Sequence, residues 1–499
     1  MFNHARFQQQ FLAAFGMLVM LAACGPAASG GSVPIPASTL LALTTLTPVP
    51  PSGASGAPGS PTPHPTRSMP EMVSTTHTVR PGDTLTGIAT AFGTSVDALM
   101  AANGLTDPNQ LVIGQTLAIP VVTAVTGPDS ILIPDSEAVY SPAFTEFDVT
   151  AAVARHPGWL NTYSETVDDH AMTGAELVQM TALQYSVGPR VLLTLLELRS
   201  QALSAPELAP EMETYPLGYV RDNWDGLAAQ LMWAAGSLNT GFYGWWNETL
   251  WTLDLADGTR IQFSPAINAG TAALQHLFAE GSTYESWKSE LQTFSETYQK
   301  LWGDPFNYTV DPLLPSDLTA PTLTLPWPTG ETWYFTSGPH GGWDSGSAWA
   351  ALDFVTGERN LNCVRSSQWA TAAAPGLVVV SEGGMVLEDL DQDGAVGTGW
   401  VLLYMHMAEE GRVAPGTLLE TGDSIGHPSC EGGVSNASHL HFARRYNGIW
   451  IAADHPQWPM VLDGWKASSS GTAYDGTLSK GGLVKYAEED WTVRNAIPH

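Results

Sequence analysis

The chain has 499 residues, enough for about two to four domains rather than a single core. Its 19 Lys and Arg against 49 Asp and Glu leave a net charge of −30. That excludes a nucleic-acid partner, which needs a basic surface, and any affinity for an anionic wall polymer has to come from specific contacts.

The first residues read as a targeting signal. Arg6 supplies a positive start and Phe11 to Ala23 an apolar run too short to span a membrane. The run ends in Leu21-Ala22-Ala23-Cys24-Gly25, which resembles a bacterial lipobox. The resemblance implies cleavage after residue 23 (segment 1–24), acylation of Cys24, and an exported protein held at the envelope by lipid alone. The other reading is an ordinary secretory signal that ends in Cys. Residues 25–76 are rich in Pro, Ser, Thr, Gly and Ala and predict a disordered tether.

From His77 to Pro120 the composition changes. A short strand is followed by a helix over Leu85, Ile88 and Ala89, capped by Asp83 or Thr84. A second helix over Val96, Leu99 and Met100 is capped by Ser95, and Leu117-Ala118-Ile119 closes the unit as a strand. The whole segment resembles a LysM module, a βααβ unit. The resemblance implies binding of N-acetylglucosamine-containing glycans by the loop of Gly82, Asp83, Thr84 and Leu85 and the loop of Leu111 and Ile113. The other reading is a small module without a ligand.

Residues 121–143 read as a second Pro- and Ser-containing linker. Residues 144–318 predict a mainly α-helical domain, with apolar residues at helical spacing and Gly188-Pro189 opening a new helix. This domain is rich in Trp (Trp224, Trp233, Trp245, Trp246, Trp251), which serve either as sugar platforms or as core. Part of it faintly resembles lysozyme-like transglycosylases, whose helix ends in Glu-Ser. Arg199-Ser200 stands there instead, so the domain reads as non-catalytic and of unknown role.

Residues 319–499 predict short antiparallel strands with Gly and Asp turns. They carry Gly338-Pro339-His340, Leu352-Asp353-Phe354, Tyr404-Met405-His406 and His439-Leu440-His441. Side chains alternate along a strand, so His439 and His441 share a face. Two imidazoles and one carboxylate suit zinc and leave a position open for water. The segment resembles the lysostaphin/β-lytic (M23) peptidoglycan endopeptidases. The resemblance implies that His340, Asp353 and His441 bind zinc and that His406 and His439 assist catalysis. Asp344, four residues after His340, is the alternative ligand; Asp353 is preferred because a strand fixes it, whereas Asp344 stands in a Gly/Ser-rich loop. His276, His427, His455 and His499 read as ordinary polar residues.

With Cys24 lipidated, Cys363 and Cys430 remain for a disulfide in an oxidising compartment. Asp389, Asp391 and Asp393 followed by Gly394 resemble the start of a calcium loop, but Trp400 stands at the twelfth position, and a plain acidic turn is favoured. Overall the chain reads as a multidomain α+β protein: a small βααβ LysM module, a helical middle domain, and an antiparallel β-sheet peptidase domain. The expected function is a zinc peptidase that cuts peptidoglycan stems or cross-links and is brought to the wall by LysM. The alternative is a non-catalytic lipoprotein that regulates a cell-wall amidase.

Overall fold

The computed structural model describes residues 75–499, apart from 81, 93, 95, 120–123 and 359–361. The lipobox, Cys24, residues 25–74 of the first tether and the expected Ser95 cap lie outside the described residues, while Thr75 and Thr76, expected to close the tether, open the first strand instead.

In the first unit, strands Thr75–Thr78 and Thr116–Ile119 pair antiparallel around helices Leu85–Ala91 and Val96–Asn103. Leu85, Ile88, Leu99, Leu117 and Ile119 form its small core. Thr84 Oγ1 accepts a hydrogen bond from the Gly87 amide at 3.0 Å and so caps the first helix. At the end of the second helix, Asn103 bonds through its side-chain amide to both the N–H and the C=O of Ala118, locking helix to closing strand.

The helical body is built on Gly174–Tyr185, Pro189–Ser200, Leu227–Trp246, Ala269–Ala279 and Tyr284–Trp302. A capping box of Thr173 and Glu176 starts the first, and Pro189 occupies the first turn of the second. Helices Leu227–Trp246 and Ala269–Ala279 pack closely at Gly241, where a Cβ would come within 2.7 Å of Ala273 Cα. Residues 125–143, expected to be a linker, belong to this body. Val125–Thr126 pairs with Arg260–Gln262, and Ile133, Val139 and Tyr140 enter the core. Glu137 of that segment is fully buried and forms a two-pronged ion pair with Arg190 at 2.9 and 2.6 Å. Pro and Ser had masked these few apolar and charged anchors in the sequence.

The C-terminal part is a nine-stranded sheet. In order its strands are Leu418–Leu419, Gly376–Glu382, Met385–Asp389, Trp400–Met405, Leu440–Tyr446, Ala351–Val355, Thr332–His340 and Ala496–Pro498, with Ile449–Trp450 pairing on Leu440–Tyr446. Every pairing in it is antiparallel. A four-stranded sheet, Val461–Leu462 to Leu483–Tyr486, adjoins it. Alternation divides the main sheet into two faces. Leu352, Phe354, Leu402, Tyr404, Leu440 and Phe442 pack into a core with Trp327 and Trp333. Ala351, Val401, Leu403, Met405 and Ala443 face the other way and share one continuous apolar core with the helices. Asp353 and His441 alternate with the first set, so they lie on the face that carries the helical body.

Candidate metal centre and catalytic pair

Strand register brings the site together. Met405 pairs with His441, His441 with Asp353, and Asp353 with Ser337, so four neighbouring strands present their side chains in one row. His340 stands at the end of its strand, opposite Ala351. His340 Nε2, His441 Nδ1 and Asp353 Oδ1 converge: the two nitrogens are 3.1 Å apart, and they lie 3.3 and 3.1 Å from the carboxylate oxygen. His439 Nε2 lies 3.7 Å from the same oxygen, and the His406 and His439 rings are 4.4 Å apart.

The backbone decides which nitrogen of each ring faces inward. His340 Nδ1 is 2.8 Å from Gly338 O, His441 Nε2 is 3.0 Å from Gly342 O, His406 Nδ1 is 3.1 Å from Glu431 O, and His439 Nδ1 is 2.8 Å from Ala437 O. A carbonyl only accepts, so each of these ring nitrogens is the one that carries the proton. The remaining nitrogens point into the site as lone pairs. Two imidazole nitrogens and a carboxylate oxygen facing one another at about 3 Å match the demands of a divalent cation. A tetrahedral zinc with bonds of about 2.0–2.1 Å has donor–donor edges of about 3.3 Å. The donor set therefore fits zinc, and the carbonyls serve as outer-shell supports.

Electrostatics follow the same arrangement. Burial opposes the charged form of His340, but the Asp353 carboxylate outweighs it and raises its pKa. Burial also works against ionised Asp353, yet His340 and His439 hold it well below the usual carboxylate range. Burial lowers His441. His406 is pushed down to about 3, first by burial and then by its His439 and His441 neighbours, so it is neutral at neutral pH.

Asp344, the alternative ligand, lies outside this cluster. Its carboxylate accepts from Tyr185 Oη at 3.3 Å in a turn with φ +57°. Cys363 and Cys430 form a disulfide. Asp389, Asp391 and Asp393 come together, but the turn's own groups use their oxygens: Asp389 accepts from the Asp391 and Gly394 amides, and Asp393 from Ala395 N and Thr398 Oγ1. Of the glycan-loop residues, Asp83 accepts from His77 Nε2 and Arg80 N, Leu85 is core, Leu111 is half-buried and Ile113 is exposed. Among the tryptophans, Trp245 is core. Arg199 pairs with Glu290, and Glu197 accepts from Leu203 N and Ser204 N. Sequence reasoning missed Tyr474, whose ring stacks on His340 at 4.5 Å; its loop carries no signal that ties it to the histidines.

Comparison with known proteins matches residues 131–315 to the family described as LasA, N-terminal domain, and residues 77–120 to the LysM domain. The chain is similar to protease LasA of Pseudomonas aeruginosa, with 27% identity over 293 residues, 54% of this chain and 65% of that protein. It thus spans just under two thirds of that relative's length. N-acetylmuramoyl-L-alanine amidase XlyB of Bacillus subtilis shares 50% identity over 42 residues, 8% of this chain and 13% of the amidase. Among solved structures, the M23 metalloprotease pseudoalterin is similar at 20% identity and a TM-score of 0.29, covering 37% of this chain and 100% of that one.

Proposed function

We propose that the chain is a zinc-dependent endopeptidase of the cell envelope that hydrolyses peptide bonds in peptidoglycan stems or cross-links. The observation that carries this reading is the set of four imidazoles. Each has one nitrogen committed to a backbone carbonyl; the other nitrogen lies 3.3, 3.7 and 3.1 Å from the Asp353 carboxylate in His340, His439 and His441, and the His406 ring lies 4.4 Å from that of His439. Two further features support it. A relative over more than half of the chain is named a protease, and the LysM match covers residues 77–120.

In this reading His340, Asp353 and His441 hold the metal. A bound zinc would supply Lewis acidity, polarising a carbonyl and lowering the pKa of a water. His406 is neutral at working pH, and with its Nδ1–H held by the Glu431 carbonyl its Nε2 is placed to accept a hydrogen bond from the attacking water and orient it. His439 presents Nε2 beside it, two residues from a proposed metal donor, and is placed to take up the proton of the attacking water there and, once charged, to donate it to the developing oxyanion or the leaving amine. The LysM unit raises the local concentration of substrate by holding the glycan. Cys24 would carry the lipid that fixes the protein at the envelope. The helical body is a covering domain, and the acidic turn at Asp389, Asp391 and Asp393 is a secondary candidate for calcium.

The test is incubation of the full chain with purified sacculi and zinc, followed by mass spectrometry of the soluble fragments. New amino termini on stem peptides, absent with His439→Ala and with chelator, are expected. Intact peptides in every sample would sink the proposal.

A further inference from the structure

The polypeptide around the Cys363–Cys430 disulfide supports the two assisting histidines, while the three metal donors take their supports elsewhere. Ser429 donates both its amide and its hydroxyl to the His406 carbonyl, at 2.6 and 2.9 Å. Glu431 supplies the carbonyl that takes the His406 ring proton. Cys430 therefore stands between the two residues that hold His406. That hold matters because His406 has φ +65°, a left-handed conformation that a residue other than glycine keeps only when its surroundings impose it.

The same disulfide reaches His439. Ser435 Oγ is 3.4 Å from Cys430 Sγ and 3.3 Å from His439 Nδ1. Ser438, the residue before His439, donates its hydroxyl to Asn362 O and Val364 O, on either side of Cys363. By contrast, Asp353 and His441 lie within paired strands, and the rings of His340 and His441 are held by Gly338 and Gly342.

We propose that the Cys363–Cys430 disulfide is a strap that positions His406 and His439, so that reducing it disengages this pair and leaves the metal donors assembled. The inference rests on reading the site as a hydrolytic centre. Cys363 is exposed, so an external dithiol can reach it. One thiolate of the dithiol attacks a cystine sulfur, the S–S bond breaks, and a mixed disulfide forms. The second thiolate then displaces the remaining cysteine. The reagent ends as a cyclic disulfide, and the two cysteines end as thiols that take up the two protons it gave up.

The experiment compares the full-length oxidised protein, the same protein reduced and freed of dithiol, and the Cys363→Ala/Cys430→Ala variant. Zinc affinity is read by chelator competition, and each histidine's accessibility by diethyl pyrocarbonate acylation resolved by mass spectrometry. Expected is zinc affinity within about threefold in all forms, as paired strands inside the sheet rather than the strap hold the donors. His406 and His439 should label faster when the strap is open and return on reoxidation of the wild type, with His340 and His441 unchanged. Sacculus cleavage should fall about 10–100-fold, the usual effect of losing an outer-shell support. Unaltered labelling of His406 and His439, or zinc affinity falling in step with cleavage, would overturn the strap. If no form cleaves sacculi while the labelling responds as expected, the hydrolase reading falls and the strap stands.

Discussion

Each neutral imidazole has one proton, and the carbonyls of Gly338, Gly342, Glu431 and Ala437 claim it in the four histidines of the site. The inward nitrogens are therefore free for a metal, but acid competes for them. Without metal, His340 titrates above its ordinary value of 6.5, so its pairing with Asp353 stabilises the protein at low pH and is lost as pH rises through that raised value. His406 and His441 act in the opposite sense. Their lowered values mean that the unfolded chain gains their protons first, and stability is lost as pH falls below 6.5. Zinc has to displace the His340 proton, so its stabilising effect should be greatest above pH 7 and shrink steadily toward pH 5. At a thousandfold excess over Kd the gain is about 4 kcal/mol. Calorimetry with and without zinc checks this, and His441→Ala should abolish the shift. A shift that survives in that variant would place the metal elsewhere.

At the scale of elements, the strand Met385–Asp389 is buried along its whole length, including Glu388. Tyr404 Oη donates to Glu388 Oε2 at 2.7 Å, while Oε1 is buried without a partner. Burial pushes the Glu388 carboxyl from 4.5 up to about 7. The native state thus keeps a proton that the unfolded chain releases between those values, and stability falls as pH rises through the window, by at most about 3 kcal/mol. Glu388→Gln keeps an acceptor for Tyr404 and carries no charge. It should match the wild type near pH 4.5 and exceed it at pH 8 in urea denaturation. Asp389, raised to about 7 by burial and by Asp391, will leave a residual slope in the variant. An unchanged slope would mean that Glu388 does not titrate there. This residue also marks a limit of sequence reading. The alternation that places Asp353 and His441 on one face is visible as His-x-His and Leu-Asp-Phe. The strand Met385–Asp389 is buried on both faces, and nothing local in the sequence marks Glu388 as an interior carboxyl. Glu137 was hidden likewise, because its partners Arg190 and Tyr298 lie 53 and 161 residues away.

For the whole molecule, the consequential fact is that the helical body rests on the site-bearing face of the sheet. Arg445 donates to Leu183 O, Ser186 to Gly448 O, and Trp450 uses its amide on Tyr243 Oη and its indole N–H on Tyr185 O. Local patterns gave the helices and the strands separately, but nothing local shows that one apolar core runs through both. Trp450 also packs on Gly342, where a Cβ would meet its ring at 2.6 Å, and Gly342 O takes the His441 proton. One side chain thus links the helices to His441, one of the proposed metal donors. Trp450→Ala should cost about 3–5 kcal/mol, the usual loss for a large buried ring. Because the core is continuous, amide exchange should accelerate together in helix Gly174–Tyr185 and strand Leu440–Tyr446, while the LysM unit, with a core of its own, stays unchanged. Zinc affinity should fall about tenfold as the Gly342 loop loosens its hold on His441. Faster exchange in the strand alone would show that helices and sheet are independent units, and full zinc affinity would show that the Gly342 loop keeps its place without the indole.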